Sequence, residues 1–196
     1  MSVSRATLRP ILGPMLILLP PSEKKAATAG AAIGVYTGVL YGALSWSTLS
    51  TAAQKRGAES IVIISAKYGA IAPLDLIAPY KEKIDSAAMR DPITKKLDSM
   101  NAELIVDCRS STYQNVWTPP ASKCVEIKVF AQVDGVKKVI THMSKKTRGE
   151  VARLILLSKT VPKTPKDLFD MVNQEFVCEL NQGDSGQPWI LEVIAK

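Results

Sequence analysis

The chain has 196 residues, 46% of them hydrophobic and 22% charged, with a formal net charge of +7. These values exclude an intrinsically disordered chain and supply enough apolar mass for the core of one ordinary domain. Three widely spaced cysteines, Cys108, Cys124 and Cys178, exclude a disulfide framework and point to a reducing compartment, the cytoplasm.

Residues 1–14 read as an N-terminal extension, and 15–196 as a single domain. The apolar run 11–19 is broken by Gly13-Pro14 and stopped by Pro20-Pro21, which makes it too short to span a bilayer. Its second half, 15–19, is a buried strand. The Ala/Gly-rich stretch 26–34 carries little information. Residues 36–46, with Gly38 and Gly42, read as a short strand or loop. A helix is predicted over 47–56, ended by Gly57.

The β-branched run 61–65 is a second buried strand. The loop 66–80 follows, punctuated by Gly69, Pro73 and Pro79. A short helix is expected near 92–99, a third buried strand at 104–107 and a helical turn at 111–116. Strand 125–133 turns at Asp134-Gly135 and returns over 137–143. Thr164 caps a helix that has Pro165 at its first position. Two more strands fall near 176–181 and 188–194. This order predicts an α/β fold: a mixed sheet flanked by helices, with antiparallel hairpins towards the C-terminus.

The charge is concentrated. Residues 137–166 hold nine basic residues and one acidic residue, a net +8 against +7 for the whole chain, so the remainder sums to −1. Thr147-x-x-Glu150 matches a capping box. On that reading a helix starts at Thr147 with Arg148 and Gly149 in its first turn, where free amides and the helix dipole favour an anion. Lys138, Lys145, Lys146, Arg148, Gly149 and Arg153 are therefore the candidate phosphate-binding residues. Several phosphates in a row imply a nucleic-acid backbone. The segment has no aromatic residue and so no platform for stacking bases.

Four phrases carry a family resemblance. They are Leu16-Ile17-Leu18-Leu19-Pro20-Pro21-Ser22-Glu23, the stretch from Ile64-Ser65-Ala66-Lys67-Tyr68-Gly69 to Tyr80, Val106-Asp107-Cys108-Arg109-Ser110-Ser111-Thr112-Tyr113, and 144–149. Together they resemble the bacterial peroxide stress protein YaaA family over about residues 15–194. The resemblance implies a cytoplasmic protein that protects against hydrogen peroxide, helps limit intracellular iron and binds DNA through a basic cleft. Carried over by position, Lys145, Lys146 and Arg148 would be cleft cations, with Lys67, Tyr68, Asp75 and Tyr80 shaping the loop beside them. The chain departs from the family between the Pro-Ser-Glu phrase and Tyr36-Thr37-Gly38, where only 24–35 remain, and again after Tyr80. A helix-hairpin-helix DNA element lying in either stretch would be missing here.

A second constellation sits at predicted strand ends, where open α/β sheets place ligands. Glu23, Lys67, Tyr68, Asp75, Tyr80, Asp107 and Arg109 are its members. They suggest an alternative function: an enzyme acting on a nucleotide or nucleic-acid base. Cys108 beside Arg109 is read as a buried, inert thiol rather than a peroxide sensor. One histidine and no cysteine pair give no metal-site spacing, so no metal or cofactor is expected.

Overall fold

In chain order, a computed structural model gives β1 (Met15–Leu19), β2 (Gly30–Ala31), α1 (Ala32–Val35), α2 (Val39–Leu44), α3 (Thr51–Ser60), β3 (Ile61–Ser65), β4 (Gly69–Ile71), β5 (Leu76–Ile77) and α4 (Ser86–Asp98). There follow β6 (Leu104–Asp107), α5 (Ser111–Gln114), β7 (Cys124–Val133), β8 (Val136–Lys138), α6 (Thr141–Leu157), α7 (Pro165–Val172), β9 (Cys178–Asn181) and β10 (Trp189–Ile194). Residues 15–195 are described, so the extension predicted for 1–14 lies outside the described residues.

One mixed sheet runs in the order β4-β3-β1-β6-β7-β10-β9, with β8 folded back on β7. Its five inner strands are parallel, and β4 and β9 close the two ends antiparallel. The central strands are apolar on both faces because helices cover both. Ile17, Leu19, Ile63 and Val106 face Leu40, Leu44, Val151, Ile155 and Val172 on one side. Leu16, Leu18, Val62 and Ile64 face Ile93, Leu97, Val116 and Trp117 on the other. The chain leaves β1 for β3 on one side and later returns to lay β6 on β1's other side. The C-terminal ends of β1 and β6 therefore form a topological switch point, where the outgoing loops diverge and where open α/β sheets place ligands.

The three buried strands, the Asp134-Gly135 hairpin and the α7 cap match the sequence reading. Asp134 and Gly135 both take positive φ (54° and 77°), as a tight hairpin turn requires. Thr164 accepts from the Asp167 amide, and the Asp167 carboxylate accepts from the Thr164 amide, completing a capping box.

Besides the helix expected near 92–99, which already starts at Ser86 and carries Pro92 inside it, three segments differ from their expectation. Residues 36–46 contain α2, because Leu40, Tyr41 and Leu44 bury one helical face while the Gly42 position faces open space. The helix predicted over 47–56 is α3, and Gly57 lies inside it. A Cβ at Gly57 would sit 2.5 Å from the Trp46 ring, so the glycine is there for close packing and not as a stop. The third difference bears on function. The return strand ends at Lys138, and α6 starts at Thr141, so no helix end lies at 144–150. Ser144 and Thr147 continue the buried stripe of Val151 and Ile155 back towards the N-terminus, and their polar identity hides that register. The Ser144 hydroxyl donates to the Ile140 carbonyl, 3.0 Å away, inside the helix.

Gly149 marks the closest approach of α6 to α2. A Cβ there would lie 2.2 Å from the Leu40 carbonyl oxygen and 2.9 Å from the Ala43 side chain. Gly149→Ala is expected to lower stability by about 1–3 kcal/mol, because backbone must move to admit one methyl group. Urea denaturation of the variant against the parent chain checks this, and an unchanged midpoint would contradict the helix crossing.

Candidate functional site

The candidate site is built from the chain that leaves β1. Pro20 follows the strand, and its carbonyl accepts from the Tyr41 hydroxyl at 2.7 Å. The Ser22 hydroxyl oxygen accepts from the Gly38 amide at 3.2 Å, where α2 begins. Lys25 then pairs with Tyr36 in an antiparallel bridge, flanked by bonds from the Ala26 amide to Val35 and from the Thr37 amide to Lys24. The Lys25 Nζ donates back to the Ser22 carbonyl at 2.9 Å. It lies 4.1 Å from the centre of the Tyr80 ring and 5.7 Å from that of Tyr36, within cation–π range of both.

Tyr80 is the hub. Its hydroxyl lies 2.8 Å from the Ser65 hydroxyl and 2.9 Å from that of Tyr36, and it accepts from the Ala66 amide at 3.2 Å. Ser65, the last residue of β3, also accepts from the Lys67 and Tyr68 amides. The Tyr68 ring stands edge-on to Tyr80 at 5.7 Å, and the Ala78 amide donates to its hydroxyl. Lys67 pairs with Glu82 at 2.7 Å on the outer rim.

Burial raises the Tyr36 and Tyr41 phenols well above their ordinary value and brings Tyr113 up to about 12, so all three are neutral hydrogen-bonding groups at physiological pH. Burial lowers the Lys25 amine, and the charges of Glu23 and Glu82 partly oppose that shift.

Four residues singled out from the sequence meet here: Glu23, Lys67, Tyr68 and Tyr80. Three do not join them. The Asp75 carboxylate accepts from the Ala72 amide at 2.8 Å and fixes its own turn. Asp107 and Arg109, at the end of β6, form a bidentate pair of 2.7 and 2.9 Å, both nearly inaccessible to solvent. Arg109 also donates to the carbonyls of Tyr113 and Trp117, so the pair fixes the loop after β6. The sequence reading missed Lys25, Tyr36, Ser65 and Tyr113. Ser65 carries a usable signal, since it stands where a buried parallel strand gives way to loop. Lys25, Tyr36 and Tyr113 carry none without the fold.

The basic residues divide by what they touch. Arg148 donates to the Ile127 carbonyl, one residue beyond the last β6–β7 register pair. Arg153 donates to the Leu44 and Ser45 carbonyls and so finishes α2, whose C-cap Ser45 is left-handed. Lys146 pairs with Glu150, the residue predicted to cap the helix. Lys137, Lys163 and Lys166 also meet carboxylates. Lys138, Lys145 and Lys159 are exposed and make no ion pair among the described residues. With α6 continuous through 141–157, the amides from Lys145 onward are committed to carbonyls four residues back. The anion site expected in a first turn at Thr147, with Gly149 admitting the phosphate, is therefore not formed.

Cys108 is fully buried, and burial takes its thiol up to about 12, against the opposing charge of Arg148. A thiol so held is almost wholly protonated near neutral pH and reacts slowly with peroxide. Among the described residues no three histidine, cysteine or acidic side chains gather to hold a metal ion. No helix among them is long and apolar enough to cross a membrane.

Comparison with known proteins gives a consistent picture. A family model described as peroxide stress protein YaaA matches residues 20–181. A UPF0246 protein of Streptomyces coelicolor is 31% identical over 185 residues, covering 85% of this chain and 70% of that protein. A UPF0246 protein of Corynebacterium efficiens is 32% identical over 162 residues, covering 76% and 64%. One from Corynebacterium glutamicum is 31% identical over 153 residues, covering 71% and 60%. The chain thus spans 60–70% of the length of these three relatives.

Proposed function

The chain belongs to the peroxide stress protein YaaA family, and from that premise we propose that it is a cytoplasmic DNA-binding protein of the hydrogen peroxide response. On this reading it grips the phosphate backbone without reading bases, protects against peroxide and helps limit intracellular iron. The protective and iron-limiting roles rest on the family.

DNA binding is carried by the charge left uncancelled around α6. Lys138 and Lys145 are exposed without a carboxylate partner, and Arg148 and Arg153 bond only to neutral carbonyls, so they keep their full charge. The Lys146–Glu150 pair is exposed enough for a phosphate to compete with it, since such pairs contribute at most about 1 kcal/mol. If about four phosphates are contacted, the logarithm of duplex affinity should fall with the logarithm of salt concentration at a slope of roughly −3.6. Fluorescence anisotropy of a labelled duplex across a salt series measures that slope. A flat dependence would remove the electrostatic basis of this reading.

A second reading, an enzyme acting on a nucleotide or nucleic-acid base, is favoured by one observation. Glu23, Lys67, Tyr68 and Tyr80 join Lys25, Tyr36 and Ser65 at the ends of parallel strands, beside the switch point of the sheet. The two readings are compatible, because the basic residues around α6 and the tyrosine cluster are different side chains.

A further inference from the structure

Lys25 has a setting unlike that of the other lysines. Its Nζ is held by the Ser22 carbonyl at 2.9 Å and the Glu23 carbonyl at 3.5 Å, with the Tyr80 face 4.1 Å away. It makes no ion pair among the described residues. The bridge to Tyr36 fixes its backbone. The Tyr80 ring is fixed in turn. The Ser65 oxygen accepts two amides, so its proton goes to Tyr80, and Tyr80, which also accepts from Ala66, donates to Tyr36. An amine is thus presented beside the C-terminal end of β3, against fixed aromatic rings and with no carboxylate in direct contact.

We propose that Lys25 is a nucleophile that forms an imine with the aldehyde of a ring-opened deoxyribose. The nitrogen adds to the carbonyl carbon, and the carbonyl oxygen takes up a proton. The resulting carbinolamine loses that oxygen as water, leaving a C=N bond. The step needs no oxidant or reductant, and water reverses it. The protonated imine is a cation, and the Tyr80 face that holds the ammonium would hold it equally well. Partial burial lowers the amine's proton affinity, in the direction that favours the free base the addition requires. The aldehyde class rests on the DNA-binding reading: a nucleic acid offers a sugar aldehyde where a base has been lost.

The test is reductive trapping with cyanoborohydride. The intact protein is incubated with a duplex carrying one abasic site or, separately, with 2-deoxyribose 5-phosphate, and the adduct is mapped by peptide mass spectrometry. The expected result is an adduct on Lys25 at least about tenfold above that on Lys55 or Lys145, and its loss in Lys25→Arg, whose guanidinium stays protonated. Faster labelling by the abasic duplex assigns the aldehyde to DNA. Equal labelling by the free sugar phosphate assigns it to a metabolite and still supports the nucleophile. Adducts spread evenly over surface lysines, or kept in Lys25→Arg, overturn the proposal. Should Lys25→Arg melt early, mapping on the unsubstituted protein decides alone. Affinity for intact duplex, measured in parallel, separates the two ideas: it fails with the DNA-binding reading, whereas trapping of the free sugar phosphate on Lys25 does not depend on it.

Discussion

Replacing Lys138, Lys145 and Lys146 together with glutamate is expected to weaken duplex binding by about 100-fold at moderate salt and to flatten the salt slope from roughly −3.6 to roughly −0.9. All three side chains are exposed, and none bonds to the sheet. The fold should therefore survive, apart from a few tenths of a kcal/mol for a glutamate at position 146 facing Glu150. Arg148 and Arg153 are poor choices for such a test, since each satisfies backbone carbonyls and its loss would mix folding with binding. Titration of a labelled duplex, with circular dichroism as the control, gives the answer. A triple variant that binds like the parent would place the interface elsewhere.

The second large effect is structural. Removing the Asp107 carboxylate by Asp107→Ala leaves the Arg109 guanidinium buried at 1% exposure without its counter-charge. The expected loss is about 3–5 kcal/mol, a fall in melting temperature on the order of 10 °C for a chain of this size. The desolvation cost of the orphaned charge dominates, so the double variant Asp107→Leu with Arg109→Met should be more stable than Asp107→Ala alone. Calorimetry of the three proteins is sufficient. A single variant within about 1 kcal/mol of the parent would mean that water reaches the guanidinium. The loss should also reach the tyrosine cluster, because Arg109 holds the Tyr113 carbonyl and the Tyr113 phenol lies within electrostatic reach of Tyr80 and Glu23.

The parts of the fold legible in the sequence are those whose signal is local. Met15–Leu19, Ile61–Ser65 and Leu104–Asp107 are short, apolar and bounded by polar or turn residues, and each is a central strand. Asp134-Gly135 and Thr164-Pro165 carry their own turn and cap chemistry. The start of α6 was hidden because Ser144 and Thr147 occupy buried positions, whereas their side chains ordinarily signal a helix boundary. Gly57 and Gly149 mislead in the same way. Each is selected by a neighbouring element, Trp46 or Leu40, that only the fold brings near. The site was half legible: Tyr68 and Tyr80 stand in a distinctive phrase, but their partners Tyr36 and Lys25 flank the low-information stretch 26–34 and are brought to them only by the fold.

The Lys25–Tyr36 bridge has a consequence for how the family can vary. The chain between the two residues leaves and returns at one point, and Thr28 and Ala29 at its tip are exposed, ahead of the short pairing of Gly30-Ala31 with Leu76-Ile77. Extra residues at that tip would extrude as an appendage without shifting either partner. An inserted module there would thus leave the tyrosine cluster below in one geometry.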